Sequence, residues 1–335
     1  MDRQTMVNLS KTKITPPFTL EESLTFYCPQ ENVEAFDNPI VADFHRFMTT
    51  SYEPPLTDGT PTMLILPCTK DKPYLISRQH LTVNSHLLSK GFEPAGEVEI
   101  PTGLEDHLPS GYDPKVLNNG LLMRDGLSLH RFVISEPLAL VPYELIYYYK
   151  GEMSPASRYD DPGLFEHRPN TVCPWRKDST AIKRGYEFKW GENEKLAYVQ
   201  VHNKLVELIA ETLNRLRPSY RQIIAYVSPR LTHRSFLASA EEKHINELRT
   251  TRRIASKAHR LIGVNDTHPG LVTIIPTKEE FQEAFTLLEE RLQSELGPIS
   301  RAKVRGHFAR GGGGATPLAL PEALQVLDRY LGQLT

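Results

Sequence analysis

Four short apolar segments constrain the fold of this chain more than any other feature of its sequence. They are TMLILP (62–67), HRFVIS (130–135), QIIAYVS (222–228) and LVTIIP (271–276). Strands that are apolar along their whole length are typical of parallel sheets with both faces covered. Helical patterns lie between or after these segments, at residues 77–91, 196–218 and 279–296. We therefore predict an α/β fold in which helices cover both faces of a parallel sheet.

The remaining stretches suggest how the chain is organised around this sheet. We expect residues 1–60 to form an N-terminal extension packed on the core, with a short helix near IVADFHRFM (40–48). The core itself is predicted to span residues 61–298, with an irregular region at 92–128. Residues 299–335 are expected to hold a flexible loop, RAKVRGHFARGGGG (301–314), and a last helix at 321–331.

Composition excludes several classes of protein. The 39 basic and 41 acidic residues nearly balance, so overall charge gives no argument for nucleic-acid binding. No apolar run is long enough to span a bilayer and the N-terminus lacks a signal-peptide core, so we expect a cytoplasmic protein. The three cysteines form no CxxC pair, and no dinucleotide or P-loop motif is present. The sequence therefore predicts no cofactor and no metal site.

Reactive side chains crowd the end of the first strand. The segment PCTKDKPYLISRQH (67–80) places Cys68, Asp71, Lys72, Tyr74 and His80 directly after TMLILP. In parallel α/β sheets, ligands bind beyond the carboxyl ends of the strands. The segment SEPLALVP (135–142) follows the second strand in the same way. Both segments are therefore expected to contribute to one site.

This crowding is compatible with nucleophilic chemistry. Neighbouring lysines favour the thiolate form of a cysteine, and a thiolate can add to an electrophilic carbon. Asp71 or His80 could carry protons, and Tyr74 could stack on a planar ligand. A polar turn with solvated lysines is the structural alternative. For Ser77 that alternative is the N-cap of the next helix, and for His80 it is simple packing.

The same residues carry a resemblance to a known family. The pattern PC-x3-KPY-x2-S-x2-H of the archaeosine synthase family, a paralogue of archaeal tRNA-guanine transglycosylase, is matched by Pro67, Cys68, Lys72, Pro73, Tyr74, Ser77 and His80. A second block, SEPLALVPYEL (135–145), resembles the family segment SPLGLVPRELE, although that segment has no acid where Glu136 stands. The tetrapeptide YDDP (159–162) resembles the YD-x-P that follows it.

The resemblance implies a fold and an activity. The family core is similar to the uracil-DNA glycosylase-like fold, a four-stranded parallel sheet between helices in three layers. Its members attach lysine to the nitrile carbon of 7-cyano-7-deazaguanine in tRNA, which gives the amidine of archaeosine. The resemblance implies that Cys68, Lys72 and His80 are catalytic; Asp71, at a position that the family pattern leaves variable, is a further catalytic candidate because a carboxylate can carry protons. The resemblance implies substrate-binding roles for Pro67, Tyr74, Ser77, Ser135, Pro137, Leu138 and Asp160. Glu136 and Asp161 are substrate-binding candidates from their residue type, because carboxylates accept hydrogen bonds from donor groups.

The partners are less defined. The signature begins at residue 67, so we expect a stand-alone core without the transglycosylase and RNA-binding domains of archaeal members. The deazaguanine could lie in tRNA, in DNA or in the free base, and the amine donor could be lysine or ammonia. A second hypothesis is a non-catalytic subunit that binds deazaguanine or nucleic acid beside a separate transglycosylase. The two hypotheses differ over whether Cys68 reacts.

A local basic stripe is the candidate nucleic-acid surface. The segment RTTRRIASKAHR (249–260) is predicted to be one helix, and its basic residues at four-residue spacing would share a face. The residues expected to contact phosphates are Arg249, Arg252, Arg253, Lys257 and Arg260, with Arg305 in the C-terminal loop. A solvated charged face is the alternative.

Overall fold

A seven-stranded mixed sheet forms the centre of the protein in the computed structural model, which describes residues 2–57, 59–166, 168, 171–185, 187–229, 232–311 and 316–334. The strands are β1 (Thr62–Pro67), β2 (Glu93–Pro94), β3 (Leu122–Arg124), β4 (Leu127–Ser135), β5 (Ala139–Pro142), β6 (Tyr148–Tyr149), β7 (Glu152–Met153), β8 (Ile182–Arg184), β9 (Glu187–Lys189), β10 (Gln222–Tyr226), β11 (Thr251–Ile254), β12 (Lys257–Arg260) and β13 (Thr273–Ile275). The helices are α1 (Arg3–Lys11), α2 (Pro29–Glu34), α3 (Pro39–Thr50), α4 (Arg78–Ser89), α5 (Glu192–Leu216), α6 (Thr232–Leu237), α7 (Ala240–Ile245), α8 (Val264–Thr267), α9 (Lys278–Leu296), α10 (Arg301–Ala309) and α11 (Pro321–Gly332).

The four apolar segments predicted as strands are present and lie next to one another in parallel. Their order across the sheet is β13, β10, β1 and β4. Strands β1 and β4 are buried at every residue, although successive side chains of a strand point to opposite faces. Both faces of the sheet are therefore covered, which is why these segments are apolar throughout.

The sheet is not purely parallel, and in this respect the prediction was wrong. Strand β4 is nine residues long and pairs antiparallel with β3 along its first part and with β5 along its last part. Strand β2 then pairs antiparallel with β3. The stretch at 92–128 therefore adds two short strands to one edge of the sheet, where hairpin connections allow antiparallel pairing.

The order of the parallel strands determines where a ligand can bind. The chain passes from β1 to β4 on one side, and its later strands β10 and β13 lie on the other side of β1. The direction of strand addition therefore reverses between β1 and β10. In open α/β sheets, a crevice forms beyond the carboxyl ends of the strands at such a reversal.

Helices pack this sheet through side chains at helical spacing. Helix α5 buries Leu205, Ile209 and Leu213 in the same hydrophobic core as the strands, and α4 and α11 contribute buried leucines to it. Helix α9 begins with the predicted capping box, in which Thr277 accepts from the backbone N–H of Glu280. It ends before Gly297, as predicted. Among the described residues, no helix has both the length and the apolar character needed to cross a membrane.

Two stretches differ from their predicted structure. Residues 301–309, expected in a flexible loop, form helix α10, whose N-cap is Ser300. Of the rest of that predicted loop, residues 312–314 lie outside the described residues. The basic segment at 249–260 is not a helix but the hairpin β11–β12, in which Ala255 adopts a positive φ of 50° at the turn. Basic residues four apart do not by themselves specify a helix, because no apolar stripe of that period accompanies them.

The N-terminal segment is tied to the strand ends by backbone bridges. Ile14 pairs with Lys72, and Thr25 pairs with Asp160. Helix α3, which covers the predicted IVADFHRFM helix, buries Val41, Phe44 and Met48 in the main core. Residues that precede β1 therefore lie beside the segment that follows it.

The central strand should dominate stability. Leu64 is fully buried in β1, whereas Leu56 is fully exposed just before it. We expect Leu64→Ala to lower the free energy of unfolding by about 2–5 kcal/mol, because it removes buried methyl groups and leaves a cavity. The same substitution at Leu56 should change it by no more than about 0.5 kcal/mol. Urea unfolding of both variants measures this, and equal effects would contradict the assigned packing.

Candidate active site

A cavity of about 480 Å³ opens at the carboxyl ends of β1 and β4, on the side where the strand order reverses. Small-molecule sites usually measure roughly 300–1,000 Å³. The predicted site residues that line the cavity are Cys68, Asp71, Lys72, Ser77, Glu136, Asp160 and Asp161. The segments at 67–80 and 135–142, which were expected to contribute to one site, both line this cavity.

Three side chains form a triangle in the wall of the cavity. Cys68 follows β1, Glu136 follows β4, and His233 lies in α6, the helix after β10. The Cys68 Sγ atom lies 3.3 Å from His233 Nε2 and 3.5 Å from Glu136 Oε2. His233 Nε2 lies 3.5 Å from the same Glu136 Oε2. The three groups are therefore close enough to exchange protons or to share a ligand.

The charges of this triangle depend on one another. Burial by itself lowers the pKa of His233, but the facing Glu136 carboxylate and Cys68 together raise it to about 10. Burial raises the pKa of Glu136, yet His233 outweighs that effect and holds it below its ordinary value. At neutral pH the pair is therefore a buried imidazolium and carboxylate, each stabilised by the other.

Free polar atoms remain in this triangle. Glu136 Oε1 and His233 Nδ1 are both buried and have no hydrogen-bond partner within the described part of the chain. Both contacts of His233 use Nε2, so the ring does not link Cys68 and Glu136 through its two nitrogens as a catalytic triad would.

Lys72 lies beside this triangle and is itself buried, with 2% of its surface exposed. Its ammonium group donates to the carbonyl of Thr69, and it lies 4.3 Å from the ring centre of Tyr159 and 5.1 Å from that of Tyr74. Burial lowers the pKa of Lys72 below its ordinary value. The aromatic faces partly compensate for the missing water around this cation.

Tyr74 lies behind the residues that line the cavity and does not line it itself. Its hydroxyl donates to Ser135 Oγ at 3.0 Å and lies 2.7 Å from the hydroxyl of Tyr159. Ser135 Oγ also lies 2.6 Å from the Tyr159 hydroxyl. Tyr74 is fully buried, so it is not available to stack on a ligand, as the sequence had suggested; Tyr159 instead lines the cavity.

The adjacent residues Asp160 and Asp161 differ in whether a carboxylate oxygen remains without a hydrogen-bond partner among the described residues. Asp160 accepts from Ser10 Oγ at 2.7 Å and from Lys13, both in the N-terminal segment. Asp161 Oδ1 accepts from Asn32 Nδ2 and from the backbone N–H of Gly163, whereas its Oδ2 is buried with no partner in the described ranges.

Burial raises the pKa of Asp161 well above its ordinary value, and the nearby Glu136 raises it further. Its free oxygen can therefore accept a hydrogen bond or, when protonated, donate one to a ligand.

His80 does not contact the triangle. Its Nε2 donates to the carbonyl of Pro67 at 3.0 Å, and its Nδ1 accepts from the hydroxyl of Tyr143 at 2.6 Å. Burial lowers the pKa of His80 to about 4, so this ring is neutral and holds the end of β1 in place. The structure thus favours the packing alternative for His80.

The other predicted residues mostly support the wall. Ser77 is the N-cap of α4, and its side chain accepts from the N–H of His80. The carbonyl of Pro137 accepts from His45 at 2.8 Å, and Leu138 is buried in the core. Asp71 lines the cavity but forms no hydrogen bond to Cys68 within the described ranges.

Sequence reasoning missed His233. No motif marks it, but it lies seven residues beyond the end of β10, a strand whose carboxyl end had been predicted. Applying the strand-end rule to this third strand would have identified it. Phe165 and Arg168 also line the cavity. They lie in a loop whose sequence has no hydrophobic periodicity from which a site could be predicted.

The predicted basic stripe divides in the hairpin. Arg252 is buried, pairs with Glu166 and lies about 5 Å from the rings of Trp190 and Tyr198, so it is a structural residue. Arg260 pairs with Asp266 at 3.2 Å. The exposed basic residues of the predicted stripe are Arg249, Arg253, Lys257 and Arg260 in and beside this hairpin, and Arg305 in α10. Through Arg252, the hairpin contacts Glu166, which follows the cavity residue Phe165 in the chain.

Comparisons of the chain with protein-family models, with curated proteins and with solved structures found no match.

The charge on His233 can be tested by titration. Because its pKa is raised in the folded state, its contribution to stability is fully present below its ordinary pKa of 6.5 and is lost as the pH rises through about 10. We expect the imidazole resonance that disappears in His233→Asn to titrate near pH 10 by NMR. In Glu136→Gln the midpoint should move to lower pH, because burial still lowers the pKa of His233 while the largest contribution that raises it has been removed. A midpoint near 6.5 in both proteins would refute the ion pair.

Proposed function

We propose that this protein is an archaeosine-synthase-like transferase that adds an amine to the nitrile carbon of 7-cyano-7-deazaguanine carried in tRNA or DNA. The product is an amidine base of the archaeosine type. The observation that carries the proposal is the position of Cys68 in a cavity wall, with the His233 imidazolium 3.3 Å from its sulfur. The residue pattern at 67–80, read as a resemblance to the archaeosine synthase family, supplies the substrate class.

The geometry supports a two-step addition. In the first step the Cys68 thiolate forms a bond to the nitrile carbon while His233 Nε2–H gives its proton to the nitrile nitrogen, which leaves a thioimidate and a neutral imidazole. In the second step the amine attacks the same carbon, its proton passes to His233, and the carbon–sulfur bond breaks. Nitrile and amine thus become an amidine, and Cys68 and His233 return to their starting states.

Glu136 has an electrostatic role in this scheme. Its carboxylate lies 3.5 Å from His233 Nε2 and accounts for much of the raised pKa of that imidazole. A positively charged ring beside the sulfur stabilises the thiolate and supplies the proton that the nitrile nitrogen needs. The acid that the family segment lacks at this position is therefore central to the mechanism proposed here.

Other residues that line the cavity can recognise the base. A deazaguanine presents N–H donors on its pairing edge, and Asp161 Oδ2 is a buried oxygen without a partner in the described residues. The rings of Tyr159 and Phe165 line the same cavity and offer apolar surface to a planar heterocycle. These features support a base-sized ligand with donor groups.

Two basic side chains that line the cavity could bind a negatively charged substrate. Lys70 and Arg168 are exposed residues that line it, and Arg168 packs over the ring of Phe165. They could bind the phosphates of a polynucleotide or the carboxylate of a lysine donor. A separate transglycosylase would insert the base, and we expect the reaction to take place in the cytoplasm. In the same proposal the four parallel strands belong to a uracil-DNA glycosylase-like core.

Cys68→Ala tests the proposed chemistry. With 7-cyano-7-deazaguanine, the unmodified protein should gain the mass of the base on the peptide that carries Cys68, and Cys68→Ala should not. Incubation with labelled lysine or ammonia and nitrile-bearing tRNA or DNA should yield the amidine, detected by nucleoside mass spectrometry. The variant should lose product formation by at least about 100-fold, because the nucleophile is absent.

The matched control is Cys173→Ala, because Cys173 is buried outside the cavity. It should keep both the adduct and the product. Turnover that survives in Cys68→Ala would refute the covalent route. Binding of the base without any product would instead favour the second hypothesis, a recognition subunit that does not catalyse.

The hairpin surface can be tested by salt dependence. Replacing Arg253 and Lys257 with alanine should weaken binding to tRNA or DNA. It should also reduce the slope of log K against log salt by about 0.7–0.9 for each phosphate that is no longer neutralised. Lys115→Ala is the control, because Lys115 pairs with Glu93 at the β2 edge. Fluorescence anisotropy at several salt concentrations gives both slopes. An unchanged slope in the double variant would exclude the hairpin as the surface that binds the nucleic-acid backbone.

A further inference from the structure

We propose that Cys68, Glu136 and His233 also form a binding site for a divalent transition-metal cation such as Zn²⁺, and that the bound cation prevents Cys68 from reacting. The inhibitory part rests on the proposed function, since it concerns the same sulfur. The binding part does not, because it can be measured on the protein without any base.

The distances between the three ligand atoms carry this inference. A tetrahedral zinc with bonds of about 2.3 Å to sulfur and 2.0–2.2 Å to nitrogen and oxygen requires its ligand atoms to be about 3.3–3.6 Å apart. The three observed separations are 3.3, 3.5 and 3.5 Å. A cation could therefore bind all three atoms with almost no movement of the side chains.

The arrangement of contacts points the same way. A hydrogen-bonded relay uses both nitrogens of its histidine, but here His233 Nε2 faces both Cys68 and Glu136. Each of the three ligand atoms therefore lies within 3.5 Å of the other two. Glu136 Oε1 is also buried, and it has no partner among the residues that the structure describes. This second carboxylate oxygen is available to complete the coordination or to accept from a bound water.

The chemistry of the ligands defines the class of cation. One thiolate, one imidazole and one carboxylate suit Zn²⁺ or Co²⁺, whereas Mg²⁺ and Ca²⁺ prefer oxygen ligands alone. Three protein ligands beside a cavity leave one coordination position open, as in sites where zinc meets exchangeable ligands. Cation binding would displace the proton shared at His233 Nε2, so affinity should fall at low pH.

Metal binding and nucleophilic attack both use the electron density of the Cys68 sulfur. The thiolate is both the metal ligand and the nucleophile, so coordination to the cation withdraws electron density from the sulfur and slows its addition to a nitrile carbon. The cation also occupies the position of the His233 proton that the nitrile nitrogen would receive. Zinc would therefore act as an inhibitor that competes with the nitrile for the sulfur of Cys68.

A second cluster of possible ligands provides a useful control. Cys28, Glu31 and Cys173 also lie close together and are buried. There, however, both oxygens of Glu31 already accept hydrogen bonds, one from Arg3 and one from the backbone N–H of Tyr27. Within the described residues, this cluster therefore lacks the free carboxylate oxygen that distinguishes the Cys68 site.

The binding test uses the full-length protein freed of metal and titrated with Co²⁺, followed by Zn²⁺. We expect one Co²⁺ per chain, a sulfur-to-cobalt absorption band, and displacement by Zn²⁺. Cys68→Ala and His233→Asn should each weaken binding by more than about 100-fold, since loss of an outer partner alone costs 10–100-fold. Cys173→Ala should bind as the unmodified protein does, and circular dichroism of each variant checks its fold.

The inhibition test measures alkylation of Cys68 by iodoacetamide with and without one equivalent of Zn²⁺. Zinc should slow the reaction at the Cys68 peptide at least tenfold, and a chelator should restore it. The proposal is overturned if Co²⁺ does not bind, if Cys68→Ala binds it normally, or if zinc leaves alkylation unchanged. Amidine formation that requires zinc would also overturn it. Metal binding without any amidine formation would refute the proposed function while leaving the binding site intact.

Discussion

The buried ion pair between Glu136 and His233 is the interaction on which the candidate site depends. Taking either charge out of water alone is costly, and removing one partner of a buried pair typically destabilises a protein by about 3–5 kcal/mol. Here the pair joins the end of β4 to the helix after β10, with Cys68 at the end of the strand between them. The electrostatic environment of Cys68 thus exists only when the three strands are side by side.

The rest of the cavity depends on contacts between distant parts of the chain. Lys72 is held by carbonyl oxygens and by the faces of Tyr74 and Tyr159, whose hydroxyls meet at Ser135. Asp160 depends on Ser10 and Lys13. These contacts satisfy buried polar groups that would otherwise be costly, and they restrict movement of the residues around the triangle.

Much of this fold could be predicted because its strands are apolar on both sides. That pattern identified the four parallel strands, and the strand-end rule brought Cys68 and Glu136 to one cavity. The short strands β2 and β3 were missed because segments of two or three residues show no measurable period. The hairpin β11–β12 was mistaken for a helix because its basic residues happened to be four apart.

The chemistry of individual side chains was harder to foresee. His233 depends on tertiary placement alone, and Tyr74 does not have its predicted stacking role because its ring is fully buried. The free oxygen of Asp161 depends on Asn32, which occupies its other oxygen from far away in the sequence. A single sequence records residue types, whereas these roles are decided by which hydrogen bonds remain unused after folding.

The bridges between Ile14 and Lys72 and between Thr25 and Asp160 have a consequence for how the chain can be divided. A boundary at residue 60 separates the extension from the core in sequence, yet Lys13 lines the cavity and pairs with Asp160 across that boundary. A fragment that begins at the first strand would contain every strand of the sheet but would lack Lys13 from the lining of the cavity. The complete sheet and the complete cavity therefore require different lengths of the same polypeptide.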